Sequence, residues 1–268
     1  LPESLTEISG SAFYSCTNLK DIKIPDSVTV IDSSAFSECT NLSSVKLSKN
    51  LKELDYEAFY NCDALTSIEI PKSLEKGGQS WSWCGAFADC DNLKKVTFEA
   101  GTTSIADYLF YNCTGLESIE IPEGVTSIGV EAFRNCKNLK NITLPSTLTN
   151  INFGAFNNCI SLVQLKLPES LTEISGSAFY GCTNLKEIKI PESVTKIGNS
   201  AFYGCTNMSK VVLPNSIDNI PQSMFENCTS LSGIELPDSI KYINSDAFKN
   251  CTSLASVTMK NNVTNIGS

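Results

Sequence analysis

The chain predicts an α/β repeat solenoid of about eleven coils, and three observations carry that prediction. The segment Ser-Ala-Phe-x-x-Cys-Thr-Asn-Leu-x-x-Ile-x-Ile-Pro-x-Ser-Val-Thr-x-Ile recurs along the whole chain with small variations. Cys16, Cys39 and Cys62 are 23 residues apart, and after one gap of 28 the same step resumes through Cys90, Cys113, Cys136, Cys159, Cys182, Cys205, Cys228 and Cys251. Within each repeat the apolar residues combine a helical spacing with a strand alternation. A fixed period of this length marks coils that cannot bury an apolar face alone and stack to share one.

The coil from Ser11 to Asp32 shows each element in turn. Ala12, Phe13 and Cys16 have the three-and-four spacing of one short helical or 3-10 turn. Leu19, Ile22 and Ile24 end in the alternation of a short strand, which Pro25 closes because it lacks a ladder donor. Val28 to Ile31 reads as a second short extended segment, and Asp32, like Gly129 and Gly198 at the same position, turns the chain into the next coil. Asn18, Asn41, Asn92, Asn138, Asn184 and Asn207 recur near the Cys-Thr step, where an amide can satisfy turn backbone of its own or the adjacent coil. Parallel strands about 4.8 Å apart would give a body on the order of 50 Å long.

Because a solenoid grows by adding coils, residues 1–268 are expected to be one domain. The chain begins and ends inside a repeat, so a fragment of a longer protein is expected, with any secretion signal or wall anchor outside it. The 20 basic and 29 acidic residues leave a formal charge of −9, which argues against a nucleic-acid backbone or an anionic membrane as partner. No apolar run approaches the length of a membrane helix, so no direct membrane insertion is expected.

The pattern Ala-Phe-x-x-Cys-x-x-Leu-x-x-Ile-x-Ile-Pro on a 23-residue period resembles the BspA-like leucine-rich repeat family, across essentially the whole chain. The resemblance implies a leucine-rich repeat right-handed superhelix with a parallel concave sheet. It also implies an extracellular or cell-surface protein used in adhesion, binding host or cell-surface proteins, with no catalytic residues. Departures are local: Ser48, Glu99 and Lys260 replace the Pro after the strand, Met208 replaces the first Leu, and Cys84 lies outside the cysteine column. Leu1 to Thr29 matches Leu167 to Thr195 except at Ser15, Asp21 and Asp26, which reads as an internal duplication.

Eleven of the 12 cysteines recur once per coil between Phe and Leu, which fits a column of free, buried thiols better than a disulfide framework. Equivalent residues of stacked coils point their Cβ atoms in parallel rather than at one another. Zinc sites want short paired Cys or His spacings, and the chain has no His, so neither a metal site nor a cofactor is expected. The same absence removes the commonest general base. The acidic residues are scattered outward without a singled-out pair, and no enzymatic activity is expected. Sequons at Asn41, Asn112, Asn141, Asn207, Asn227, Asn250 and Asn262 mostly follow from the repeat itself.

On each strand the residue between the two inward apolar positions must face out. That column includes Glu69, Thr97, Glu120, Lys166 and Lys189, a polar ribbon acidic in the middle with lysines toward both ends. The neighbouring outward column includes Lys95, Gln164, Glu187 and Lys210. The irregular gap comes from a five-residue insertion that holds both tryptophans, Trp81 and Trp83, with Gly77 and Gly78 allowing a bulging loop. Two readings stay open there: rings presented to a sugar or apolar partner, or one ring plugging the vacancy left by a missing Ile. Tyr14, Tyr60, Tyr111, Tyr180 and Tyr203 form an intermittent row behind the repeating Phe.

The function expected is an adhesin-like interaction module, a monomer binding a protein or glycoprotein, host extracellular matrix included, through the sheet and the tryptophan loop. The alternatives are a structural stalk without its own ligand and a carbohydrate-binding module centred on Trp81 and Trp83.

Overall fold

The computed structural model describes residues 1–79 and 84–268. The coils stack through two parallel ladders. In the first, strands of three or four residues pair at identical repeat positions: Asp21–Lys23 with Ser44–Lys46, Ser67–Ile70 with Lys95–Phe98, Ser118–Glu120 with Asn141–Thr143, Glu187–Lys189 with Lys210–Val212, and Gly233–Glu235 with Ser256–Thr258. The ladder is therefore a file of strand pairs rather than one continuous sheet. The coil carrying Lys166 forms no first-ladder strand, and only Gln164 bridges to Glu187. In-register pairing keeps each inward residue over its equivalent, so one core runs from coil to coil.

The second extended segment is shorter than its apolar pattern predicts. Val28 is drawn into a turn onto Pro25 O, 3.0 Å away, leaving only Val30–Ile31 as strand. This ladder runs through Glu7–Ile8, Val30–Ile31 and Glu53–Leu54, then through five strands from Ser104–Ile105 to Lys196–Ile197, and again from Asn219–Ile220 to Asn265–Ile266. After most of these strands an amide reaches the previous coil, as Gly198 N does to Ile174 O at 2.8 Å and Asn244 N to Ile220 O at 3.0 Å. The equivalent residue between those two is Pro221, which has no N–H, and the ladder is open there.

The expected helical or 3-10 turn does not form; the described residues contain no helix. In all but the coil of Cys90, two positions, five and one residues before the cysteine, adopt left-handed backbone, such as Ser34 at φ 54° and Glu38 at φ 62°, or Asn227 at φ 63° in a later coil. A helix cannot propagate through left-handed residues. The segment instead alternates: Tyr14 N and Cys16 N close turns onto Ser11 O and Phe13 O, while Phe13 N and Ser15 N donate to Ala35 O and Ser37 O of the next coil. The apolar spacing mimics a helical turn, but half of its amides hold coils together.

The repeating Phe forms an unbroken stack from Phe13 to Phe248, with ring centroids 4.9 to 5.9 Å apart. Beside it runs the cysteine column, free of disulfides and buried except for Cys16 on the end coil. At the base of the insertion a short antiparallel pair forms, Gly78–Gln79 with Cys84–Gly85. It lies so close to the next coil that a Cβ on Gly85 would sit 1.8 Å from Tyr108 O.

Candidate functional site

In each first-ladder strand the central residue faces the core, as Ile119 and Ile188 do, and its flanking residues are exposed. Stacked in register, the flanking residues tile one face in two columns. Glu69 stands directly across from Thr97, Glu120 from Thr143, and Lys189 from Val212. Glu69 and Thr97 share a groove of about 260 Å³ with Lys95, and Thr97 and Glu120 line the next, of about 370 Å³. Lys166 and Lys189 line a third, of about 490 Å³, together with Lys210. The face thus joins Glu69 to Thr97 and Glu120, and Lys166 to Lys189, as two separate clusters. Trp81 and Trp83 lie outside the described residues.

Lysine pairing differs along the molecule. Lys76, Lys140, Lys249 and Lys260 each reach a carboxylate within 2.8 to 3.2 Å. Among the described residues Lys166, Lys189 and Lys210 make no ion pair. Glu187, although registered across from Lys210, does not pair with it either.

The opposite, turn-built side has a different chemistry. Tyr180 and Tyr203 stack with centroids 4.5 Å apart, and the Arg134 guanidinium lies 5.7 Å from the Tyr111 ring centroid. Tyr14 is exposed on the end coil, so the tyrosines do not form one continuous row. Burial, then a hydrogen bond with Asp89, pushes the Tyr60 hydroxyl up to about 12. Asn41, Asn92 and Asn138 donate to the backbone carbonyls of Thr17, Asp63 and Thr114 in the preceding coil, which gives that column a structural role.

The cysteines serve packing. From Cys39 to Cys251 each thiol of the column donates to the repeating Phe carbonyl of the preceding coil, at 3.0 to 3.3 Å. Burial pushes Cys182 and Cys228 up to about 12, so their nucleophilic thiolate forms are suppressed. Among the described residues no three His, Cys, Asp or Glu side chains are grouped to hold a metal ion. No helix of those residues is long and apolar enough to cross a membrane.

Several exposed apolar residues escaped the sequence reading. Phe153, Ile160 and Val163 are 48%, 37% and 37% exposed, whereas Val212, 41% exposed, faces out as the strand alternation expects. Ile160 and Val163 belong to the coil of Lys166, and Phe153 immediately precedes it. The available signal was substitution within a column: Val163 stands where other coils have Lys20, Ser43, Thr66, Lys94 or Lys140.

A family model described as BspA type leucine rich repeat region (6 copies) matches residues 1–82, 83–186 and 150–268. The chain is similar to the crystal structure of a leucine-rich repeat protein from Bacteroides ovatus, with 27% identity and a TM-score of 0.69, covering 98% of this chain and 79% of that one. It is similar to a leucine rich cell surface protein from Faecalibacterium prausnitzii, with 27% identity and a TM-score of 0.56 over 97% and 78% of the two chains. It is also similar to the pneumococcal vaccine antigen PcpA, with 26% identity and a TM-score of 0.62 over 96% and 71%. No curated protein matches the chain.

Proposed function

The chain belongs to the BspA-type leucine-rich repeat family, and on that premise we propose that it is a non-enzymatic, adhesin-like module that binds a protein or glycoprotein partner through its first-ladder face. The carrying observation is the tiling of that face: outward side chains in register, with grooves of about 260 to 490 Å³ along it. A repeat array presents such a surface without needing a tailored pocket, which suits a large partner. Placement at the cell surface or outside the cell draws on the Faecalibacterium relative, described as a cell surface protein, and on the pneumococcal antigen.

The test is solution binding of the chain to a panel of matrix proteins, cell-surface glycoproteins and isolated glycans at low and high salt. The proposal expects saturable, salt-sensitive binding to a protein or glycoprotein that is lost when Glu69 and Glu120, or Lys166 and Lys189, are reversed in charge. Binding lost only on Trp81→Ala or Trp83→Ala, with little salt effect, would move the site to the insertion and favour a glycan. Silence across the panel would leave a structural spacer.

A further inference from the structure

We propose that the groove around Lys166, Lys189 and Lys210 is where this face grips its partner, and that the occupant is an extended acidic peptide segment carrying a large apolar side chain. This rests on the first-ladder face being the interaction surface and adds the class of ligand.

Charge is the first argument. In a chain of net charge −9, three ammonium groups line one groove and none has an ion-pair partner among the described residues. Lys166 and Lys189 hold equivalent positions of adjacent coils, and like charges stacked one coil above another repel. A carboxylate placed between them turns that repulsion into two favourable contacts, and the open groove leaves it room.

Apolar surface is the second. Val163, one residue before the groove-lining Gln164, replaces the outward Lys, Ser or Thr of other coils, and the groove itself is lined by exposed Val212 and by Pro191. Apolar side chains rimmed by unpaired charges mark a surface built to be covered. The Lys23 and Lys46 pair at the other end of the face also stacks like charges, but the groove beside Lys46 balances Lys46 and Lys49 with Glu69 and Glu99 and carries no exposed large apolar side chain.

The same groove disfavours a sulfated glycan. Glu169 and Glu187 also line it, so a dense polyanion would meet repulsion at two of five charged positions, whereas a peptide can space its carboxylates and fill the apolar wall.

The experiment is fluorescence anisotropy of a short fluorescein-labelled peptide of Asp and Glu flanking one Phe, titrated with the intact chain. The expected result is saturable binding that weakens about tenfold in the Lys166→Glu/Lys189→Glu variant, and severalfold in Val163→Ser or when the peptide Phe becomes Ser. All three substituted residues are exposed, and circular dichroism checks that the variants fold. Equal affinity of Lys166→Glu/Lys189→Glu and wild type would overturn the proposal. So would full displacement by a heparin oligosaccharide combined with no dependence on the peptide Phe. If the peptide fails while binding of an intact partner is still abolished by Glu69→Lys/Glu120→Lys, this inference falls and the first-ladder reading stands.

Discussion

The thiol of Cys182 donates to the carbonyl of Phe156 in the preceding coil, 3.2 Å away, and that carbonyl also accepts the Cys159 amide of its own turn at 3.1 Å. One oxygen thus closes a turn and ties it to the next coil. A cysteine suits the position because it is small, apolar enough for the core and still a donor.

Replacing an interior member should therefore cost stability where an end member does not. Cys159→Ala removes the bond to Phe133 O and leaves a sulfur-sized void, a loss of about 2 kcal/mol in urea denaturation. The Phe133 carbonyl keeps the Cys136 amide, which limits the damage. Cys16→Ala, exposed on the end coil, should change stability by less than about 0.5 kcal/mol. Equal effects at both positions would remove the thiol ladder from the stabilising interactions.

Thiol labelling should separate the same groups. Native protein should react with a thiol-specific dye quickly at Cys16 and slowly at half-buried Cys84, where burial and then a hydrogen bond with Glu57 push the thiol up to about 11. All 12 should react after denaturation without reductant. Fewer would mean disulfides.

Coil period, inward columns and both extended segments were legible because stacking equivalent residues imposes its own periodicity. The turn was misread because Ala, Phe and Cys repeat at helical spacing. The clue was the residue before the cysteine, so often Asn or Gly, as at Asn112, Asn135, Gly181 and Gly204, residue types that tolerate left-handed backbone. The other left-handed position mostly holds Ser, Glu or Tyr, as at Ser177, Glu131 and Tyr108, and only Gly154 and Asp246 there are types that favour such backbone. The outward columns containing Glu69 and Lys189 followed from strand alternation. The joining of Lys166, Lys189 and Lys210 with Val212 depends on which neighbouring coils frame a groove, which alternation alone does not specify.

Pro221 predicts a local weak point. Thr195 and Lys196 amides bond to Thr172 O, and Lys241 and Tyr242 amides to Asp218 O, but no such bonds tie Asp218 and Asn219 to the coil before them. A groove of about 400 Å³ lies at this break, between Lys196 and Asn219. Hydrogen exchange should be faster at Asp218 and Asn219 than at Thr195 or Lys241. Pro221→Asn, the residue found at Asn152 and Asn244, should slow it by supplying a donor to Ile197 O. Global stability should move little, because about 1 kcal/mol from the new bond is offset by about 0.4–1 kcal/mol of regained unfolded-chain entropy. Unchanged exchange in the variant would detach the break from the missing donor.

Glu131 predicts a pH dependence. It is 1% exposed, its Oε1 accepts from Arg134 Nη1 at 2.7 Å, and its Oε2 has no hydrogen-bond partner among the described residues. Gly154, at φ 61°, makes room for it, since a Cβ there would lie 3.0 Å from Glu131 Cγ. Burial raises the Glu131 carboxyl above its ordinary range, and Arg134 opposes the rise without cancelling it. Between the unfolded value, about 4.3, and the raised native value, the folded state binds more protons, so this group's contribution falls as pH rises through that window. Glu131→Gln should remove that component, and its stability relative to wild type should improve from about pH 4 toward neutral. Arg134→Ala should destabilise by about 3 kcal/mol at neutral pH, because it strands a buried carboxylate. Parallel stability curves for wild type and Glu131→Gln across that range would show that Glu131 titrates in the folded protein as it does in the unfolded chain.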